Sequence, residues 1–227
     1  MDSAQTDTGA VLETRLVHKV HRRATALLVD AARLPSTPAS ALAELRDFIV
    51  DHLSLHHERE DDSLWPLISS LAPEVRADLV ALSEEHERLA LVLEALDGLD
   101  IARGGDRTVL IEMAVALRDA IRDHLDREEA VLFPALRAHV SEDMWRELVR
   151  KVRAAGPPPN GMHLMIGFFD QVGTAEELHH MLSSFPPHRQ PLIPALREQA
   201  KAAFAGLESS VSLDRMSDVE TGDATGR

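Results

Sequence analysis

The sequence predicts an all-α protein, an up-down-up-down four-helix bundle followed by additional C-terminal helices. Three observations lead there. Apolar residues recur at three-and-four spacing almost throughout, and no stretch alternates as a strand would. The breaks between these runs are short, which sets consecutive helices side by side and antiparallel. One phrase is also written twice: HHEREDDSLWP from His56 and HLDREEAVLFP from His124, 68 residues apart. Under that offset Arg59 matches Arg127, Glu60 matches Glu128, Asp61 matches Glu129, and Trp65-Pro66 matches Phe133-Pro134.

The first helix runs from Val11 to Leu34, with Leu12, Leu16, Val20, Ala24, Leu27 and Leu28 on its stripe, and stops at Pro35. Thr37 is the expected N-cap of the second, with Pro38 at its first helical position. That helix aligns Leu45, Ile49, His52, His56, Glu60 and Leu64 until Pro66 ends or kinks it. Pro73-Glu74 opens a third helix that fades at Gly98. ARGGD is a loop, and Asp106 caps a fourth helix that passes Pro134 and reaches about His139. The bundle is thereby assigned to residues 11–140. Ser141, followed by Glu142 and Asp143, starts a connecting helix over 141–155.

AGPPPNG, from Ala155 to Gly161, is a break. The extension over 162–207 opens with the apolar MHLMIGFFDQV. Thr174 with Glu177 reads as a capping box for a helix to about Ser184, and Ala195 to Leu207 is again helical. Its apolar content is too small for a core of its own. It is expected to pack on the bundle, or on a partner, whether a second copy in a homodimer or another protein. Residues 208–227 are polar and small and are expected to be disordered.

Composition removes several classes of function. There is no Cys, so disulfides, thiolate metal sites and Cys nucleophiles are excluded, and no Tyr, so no phenol chemistry. A net charge of −14 argues against nucleic acid. No apolar run approaches the roughly 20 residues that span a bilayer, and MDSAQTDTGA lacks the features of a signal peptide. A cytoplasmic protein with no membrane partner is expected.

The twelve histidines carry the chemistry. His56 with Glu60, and His124 with Glu128, are spaced by four, which leaves each pair about 40° apart on one helix face. These faces are the apolar stripes. A buried carboxylate without partners is costly, so two such pairs pack poorly but ligate metal well. An exposed ion pair is the simpler account of one such pair, and weak for two at matched positions. His86, beside Leu82, Leu89 and Leu93, and His21, ahead of Ala24, Thr25 and Leu28, are the expected donors of the third and first helices. They lie 65 residues apart, close to the repeat. Four imidazoles and two carboxylates suit two octahedral metals about 3.5–4 Å apart with bridging carboxylates. The mixed nitrogen and oxygen donors favour iron.

His21, HHEREDDSLWP, EEH ending at His86, and HLDREEAVLFP together resemble the hemerythrin family, specifically the bacterial HHE cation-binding domains, over roughly Val11 to His139. The resemblance implies a non-heme diiron-oxo centre, two iron ions in a four-helix bundle, and reversible O2 binding in the best-known members. Others sense iron or act on nitric oxide or peroxide. Two departures follow. The carriers' third helix offers His-x-x-x-His, but here Ala90 follows His86. Their fourth offers His-x-x-x-x-Asp, but here Glu128 follows His124 by four. His57, three residues before Glu60, is the candidate to replace the missing ligand, the alternative being an exposed neighbour. His18 and His52 are candidates for donors behind the ligands or along a channel. His139, His163, His179, His180 and His188 are not expected to ligate. The leading reading is a diiron protein binding O2 or a related diatomic or peroxide, for sensing, storage or stress response. The alternatives are an enzyme consuming peroxide or nitric oxide, and a metal-responsive module signalling to a partner through 162–207.

Overall fold

Apolar periodicity becomes helix along nearly all of the chain. The computed structural model describes residues 7–101, 107–154 and 160–220, with side chains at all of these except 154 and 208–220. Four helices close a ring: α1 (Gly9–Arg33), α2 (Ala39–Arg59), α4 (Arg76–Asp97) and α5 (Arg107–His139). α1 packs on α2 and α5, and α4 packs on the same two. A π turn (Glu60–Leu64) joins α2 to the short α3 (Trp65–Leu71). Pro66 follows the π turn and sits in the first turn of α3, where its missing N–H costs little. Pro134 lies inside α5.

The ends are closed by side chains. Thr8 caps α1, its hydroxyl accepting from the Val11 N–H at 3.4 Å. The Arg46 guanidinium donates to the carbonyls of Leu96, Asp97 and Leu99 at 2.9–3.0 Å, satisfying the open end of α4. Arg107 does the same for Leu34 and Thr37, tying the start of α5 to the α1–α2 turn. Thr37 differs from its expected role. Pro38 stands at the cap of α2, and the buried Thr37 hydroxyl makes no capping bond. The ARGGD loop with its cap at Asp106, and most of the AGPPPNG break, lie outside the described residues.

The extension covers α1. α6 (Glu142–Ala154), α7 (Met162–Val172), α8 (Ala175–Ser183) and α9 (Ile193–Glu220) all touch it. α1 accordingly buries consecutive residues, Gly9 to Thr14 and again Leu27 to Val29, which no single helical face can hold. α7 crosses α9 closely at Gly167, where a Cβ would meet Ala200 Cβ at 2.6 Å. α7 starts at Gly161, whose φ of +73° suits only glycine comfortably, with Phe48 packed against it. The Thr174–Glu177 capping box forms as expected. α9 continues to Glu220, so the tail expected to be disordered from 208 is helical in its backbone. No Pro or Gly between Leu207 and Glu220 interrupts it. Residues 221–227 lie outside the described residues.

Two apolar cores result. One joins α1, α2, α4 and α5 around Leu28, Phe48, Leu93 and Leu117 and continues into α7 and α9 through Phe168 and Phe204. The other, at the opposite end of the bundle, gathers Val11, Trp65, Ile68, Leu82, Leu132 and Leu136.

Candidate metal centre

A polar layer separates the two cores. α1 brings His18, α2 brings His56 and His57, and the π turn brings Glu60. α4 brings His86, and α5 brings His124 and Glu128. Their donor atoms form two groups, each with all atoms within 4.8 Å of one another. One is His57, His86 and His124. The other is His18, His56, Glu60 and Glu128.

The carboxylates span the groups. Glu60 turns Oε1 to His56 Nε2 at 3.1 Å and Oε2 to His86 Nε2 at 3.7 Å. Glu128 turns Oε1 to His18 Nε2 at 3.3 Å and Oε2 to His124 Nε2 at 3.5 Å. Each therefore presents one oxygen to each group. The 68-residue repeat relates the two arrangements: it carries His18 to His86, His56 to His124 and Glu60 to Glu128.

Carboxylates also stand behind three of the rings. His86 Nδ1 donates to Asp61 at 2.9 Å, His18 Nδ1 to Glu129 at 3.0 Å, and His124 Nδ1 to Glu85 at 2.9 Å. An ionised carboxylate only accepts, so Nδ1 carries the proton and Nε2 turns inward as a donor atom. This is the usual support of a ligating imidazole. The supports are themselves anchored. Ser83 donates to Asp61 at 2.5 Å, Arg22 to Glu129 at 2.5 Å, and Arg127 to both oxygens of Glu85 at 2.8 and 2.9 Å.

The inward atoms are otherwise unspent. His18 Nε2, His56 Nε2, His57 Nε2 and all four oxygens of Glu60 and Glu128 are buried without a hydrogen-bond partner in the protein. Each such atom costs about 1–3 kcal/mol if nothing satisfies it. His86 Nε2 faces His124 Nε2 at 3.2 Å, and with both Nδ1 atoms protonated two lone pairs meet there. Protons are held uneasily in this layer. Burial, then Glu128, pushes the Glu60 carboxyl up. Burial opposes the charged form of His18, but Glu128 and Glu129 outweigh it and push that ring up to about 9. Burial, then neighbouring rings, pushes His56 and His57 down. Cations satisfy all of these atoms at once and displace the protons. The donor set fits them.

Of the residues marked in the sequence, His56, His57, Glu60, His86, His124 and Glu128 come together. His57, the candidate to stand in for the ligand missing at Ala90, stacks on His86 with ring centroids 4.2 Å apart. His21 stays outside both groups. It is buried against His56 with centroids 4.7 Å apart, and its Nδ1 has no partner. His18, expected behind the ligands, stands in the position expected of His21. The repeat held the signal, since His18 precedes His86 by the full 68 residues and His21 by only 65. His52 serves elsewhere: its Nε2 donates to the Asn160 carbonyl at 2.9 Å. His139, His163, His179, His180 and His188 belong to neither group.

A helical bundle with imidazole and carboxylate donors turned into a buried layer is, as a class, a cation-binding domain. Residues 12–136 match the hemerythrin HHE cation binding domain, more than half of the chain, and the chain belongs to that family. No curated protein and no solved structure matches it. Among the described residues no helix is long and apolar enough to cross a membrane.

Proposed function

We propose that this domain holds two iron ions and uses them to bind O2 or a related diatomic or peroxide. His57, His86 and His124 would hold one ion, and His18 and His56 the other, with Glu60 and Glu128 shared. The observation that carries this reading is the way each carboxylate presents one oxygen to each imidazole group. Iron there would supply reversible electron transfer to the bound gas or peroxide.

The chain's own residues do the rest. Asp61, Glu85 and Glu129 fix three rings with Nε2 inward. The two apolar cores exclude water above and below the layer. The second group has one imidazole fewer, and its His56 and Glu60 line a cavity, so an exogenous ligand has room on that side. The experiment is metal analysis of protein made in iron-supplemented medium, with its optical spectrum in air and after reduction. About two irons per chain, with bands that cycle with O2, are expected. A single metal or none would sink the reading.

A further inference from the structure

The two halves of the repeat also differ beside the layer, at the cavity that His56 and Glu60 line. In the second half Arg127 grips both oxygens of Glu85, and Glu85 accepts from His124 Nδ1. Under the 68-residue offset, Arg127 corresponds to Arg59, His124 to His56, and Glu85 to Val17. The first half thus keeps the arginine and the histidine but has no carboxylate between them.

A cavity of about 220 Å³ lies there, lined by Val17, His56 and Arg59. Among the described residues no carboxylate pairs with Arg59 within salt-bridge distance, and His56 Nδ1 makes no hydrogen bond. Glu13 also lines the cavity, but it faces His180 at 3.4 Å. Arg153 of α6 adds a second guanidinium to the wall. The far wall is apolar, from Leu148, Val149 and Val152 of the same helix. A cavity of roughly 150 Å³ already admits benzene, so this one far exceeds what a diatomic needs.

We propose that this cavity binds a small organic carboxylate. Its carboxylate stands where Glu85 stands in the other half, held by Arg59 and facing His56 Nδ1, and its apolar body lies along α6. Bound there it supports His56 as Glu85 supports His124. That effect on the metal rests on the two-iron reading above, whereas binding itself does not.

The test is calorimetric titration of the full chain with benzoate as the probe and benzyl alcohol as its neutral counterpart. Metal content is measured in the same samples. Benzoate is expected to bind one per chain, and benzyl alcohol at least roughly tenfold more weakly. Arg59→Gln removes the grip. Val17→Glu supplies an internal carboxylate and fills the gap. Each is expected to weaken benzoate at least roughly tenfold while leaving the helical circular dichroism intact. Absence of benzoate binding at about 10 mM, equal binding of the alcohol, or parental affinity in both variants would overturn the proposal. Arg59-dependent benzoate binding in a chain without metal keeps the pocket and rejects the two-iron reading. Two irons without benzoate binding does the reverse.

Discussion

The two hairpins of the bundle contribute the same core of donors and finish it differently. The first gives His18, His56 and Glu60, and the second gives His86, His124 and Glu128, in matching geometry. Asp61 supports His86 just as Glu129 supports His18. Beyond these the halves part. Leu125 of the second half is apolar and buried where the first has His57. The first half makes a π turn after Glu60, its Trp65 N–H reaching back to the Glu60 carbonyl, while α5 continues as an α-helix past Glu128. The second half closes over His124 with Glu85 and Arg127, and the first leaves a cavity beside His56. A symmetric site would treat two cations alike. The departures give three imidazoles to one group and an approach to the other.

The strongest way to break this comparison is to remove what the halves share. Glu60→Ala and Glu128→Ala should each abolish loading of both metals, since each carboxylate faces both groups; metal analysis reads this directly. A variant that kept one full equivalent would show that the carboxylates are not shared. Next in size is the choice within α1. His18→Ala should cost at least about 100-fold in metal affinity, whereas His21→Ala should keep both metals, and competition with a chelator distinguishes them. The opposite ranking would restore His21 as the ligand.

Smaller effects sharpen the comparison. Asp61→Asn and Glu129→Gln should weaken metal binding by similar factors, roughly 10–100-fold, because they hold equivalent rings. Glu85→Gln should do the same for His124, with no counterpart to mutate in the first half. Unequal costs at Asp61 and Glu129 would show that the halves differ in support as well as in shell. The smallest effect lies away from the layer. Lys19 and Arg15 of α1 bind the buried Glu177 of α8 at 2.8–2.9 Å. Burial alone would raise that carboxyl, but Lys19, the Thr174 N–H and Arg15 outweigh it and hold it at about 2, against 4.5 when free. On acidification the unfolded chain takes up this proton first. The contribution is full above about pH 4.5 and lost between there and about 2. Glu177→Gln should flatten the melting temperature against pH across that window.

The helices and the duplicated His-x-x-x-Glu phrase were legible because period and spacing are local properties of a sequence. So was the gap at Ala90, with His57 as a candidate to stand in for it. The structure groups His18 rather than His21 with the other donors; both fall near the inward face of the first helix, and stripe membership cannot separate neighbours three residues apart. Offset could. The supports at Asp61, Glu85 and Glu129 were hidden because each reaches across to a ring on another helix, and such pairings exist only once the bundle is closed. Thr37 looked like a cap by residue type, but the Arg107 guanidinium takes the Leu34 and Thr37 carbonyls and the turn forms without its hydroxyl.

Because α6 to α9 pack on the part of α1 that the bundle leaves open, the matched domain is not the whole of what covers that helix. A truncated chain ending after His139 would keep every donor named above. It would also bare the side of α1 that α7, α8 and α9 cover, and remove the α6 wall of the cavity. Such a fragment is expected to self-associate through the apolar stripe that the extension covers. A preparation trimmed to the recognisable domain would thus report clumping and altered ligand access that belong to the cut and not to the protein.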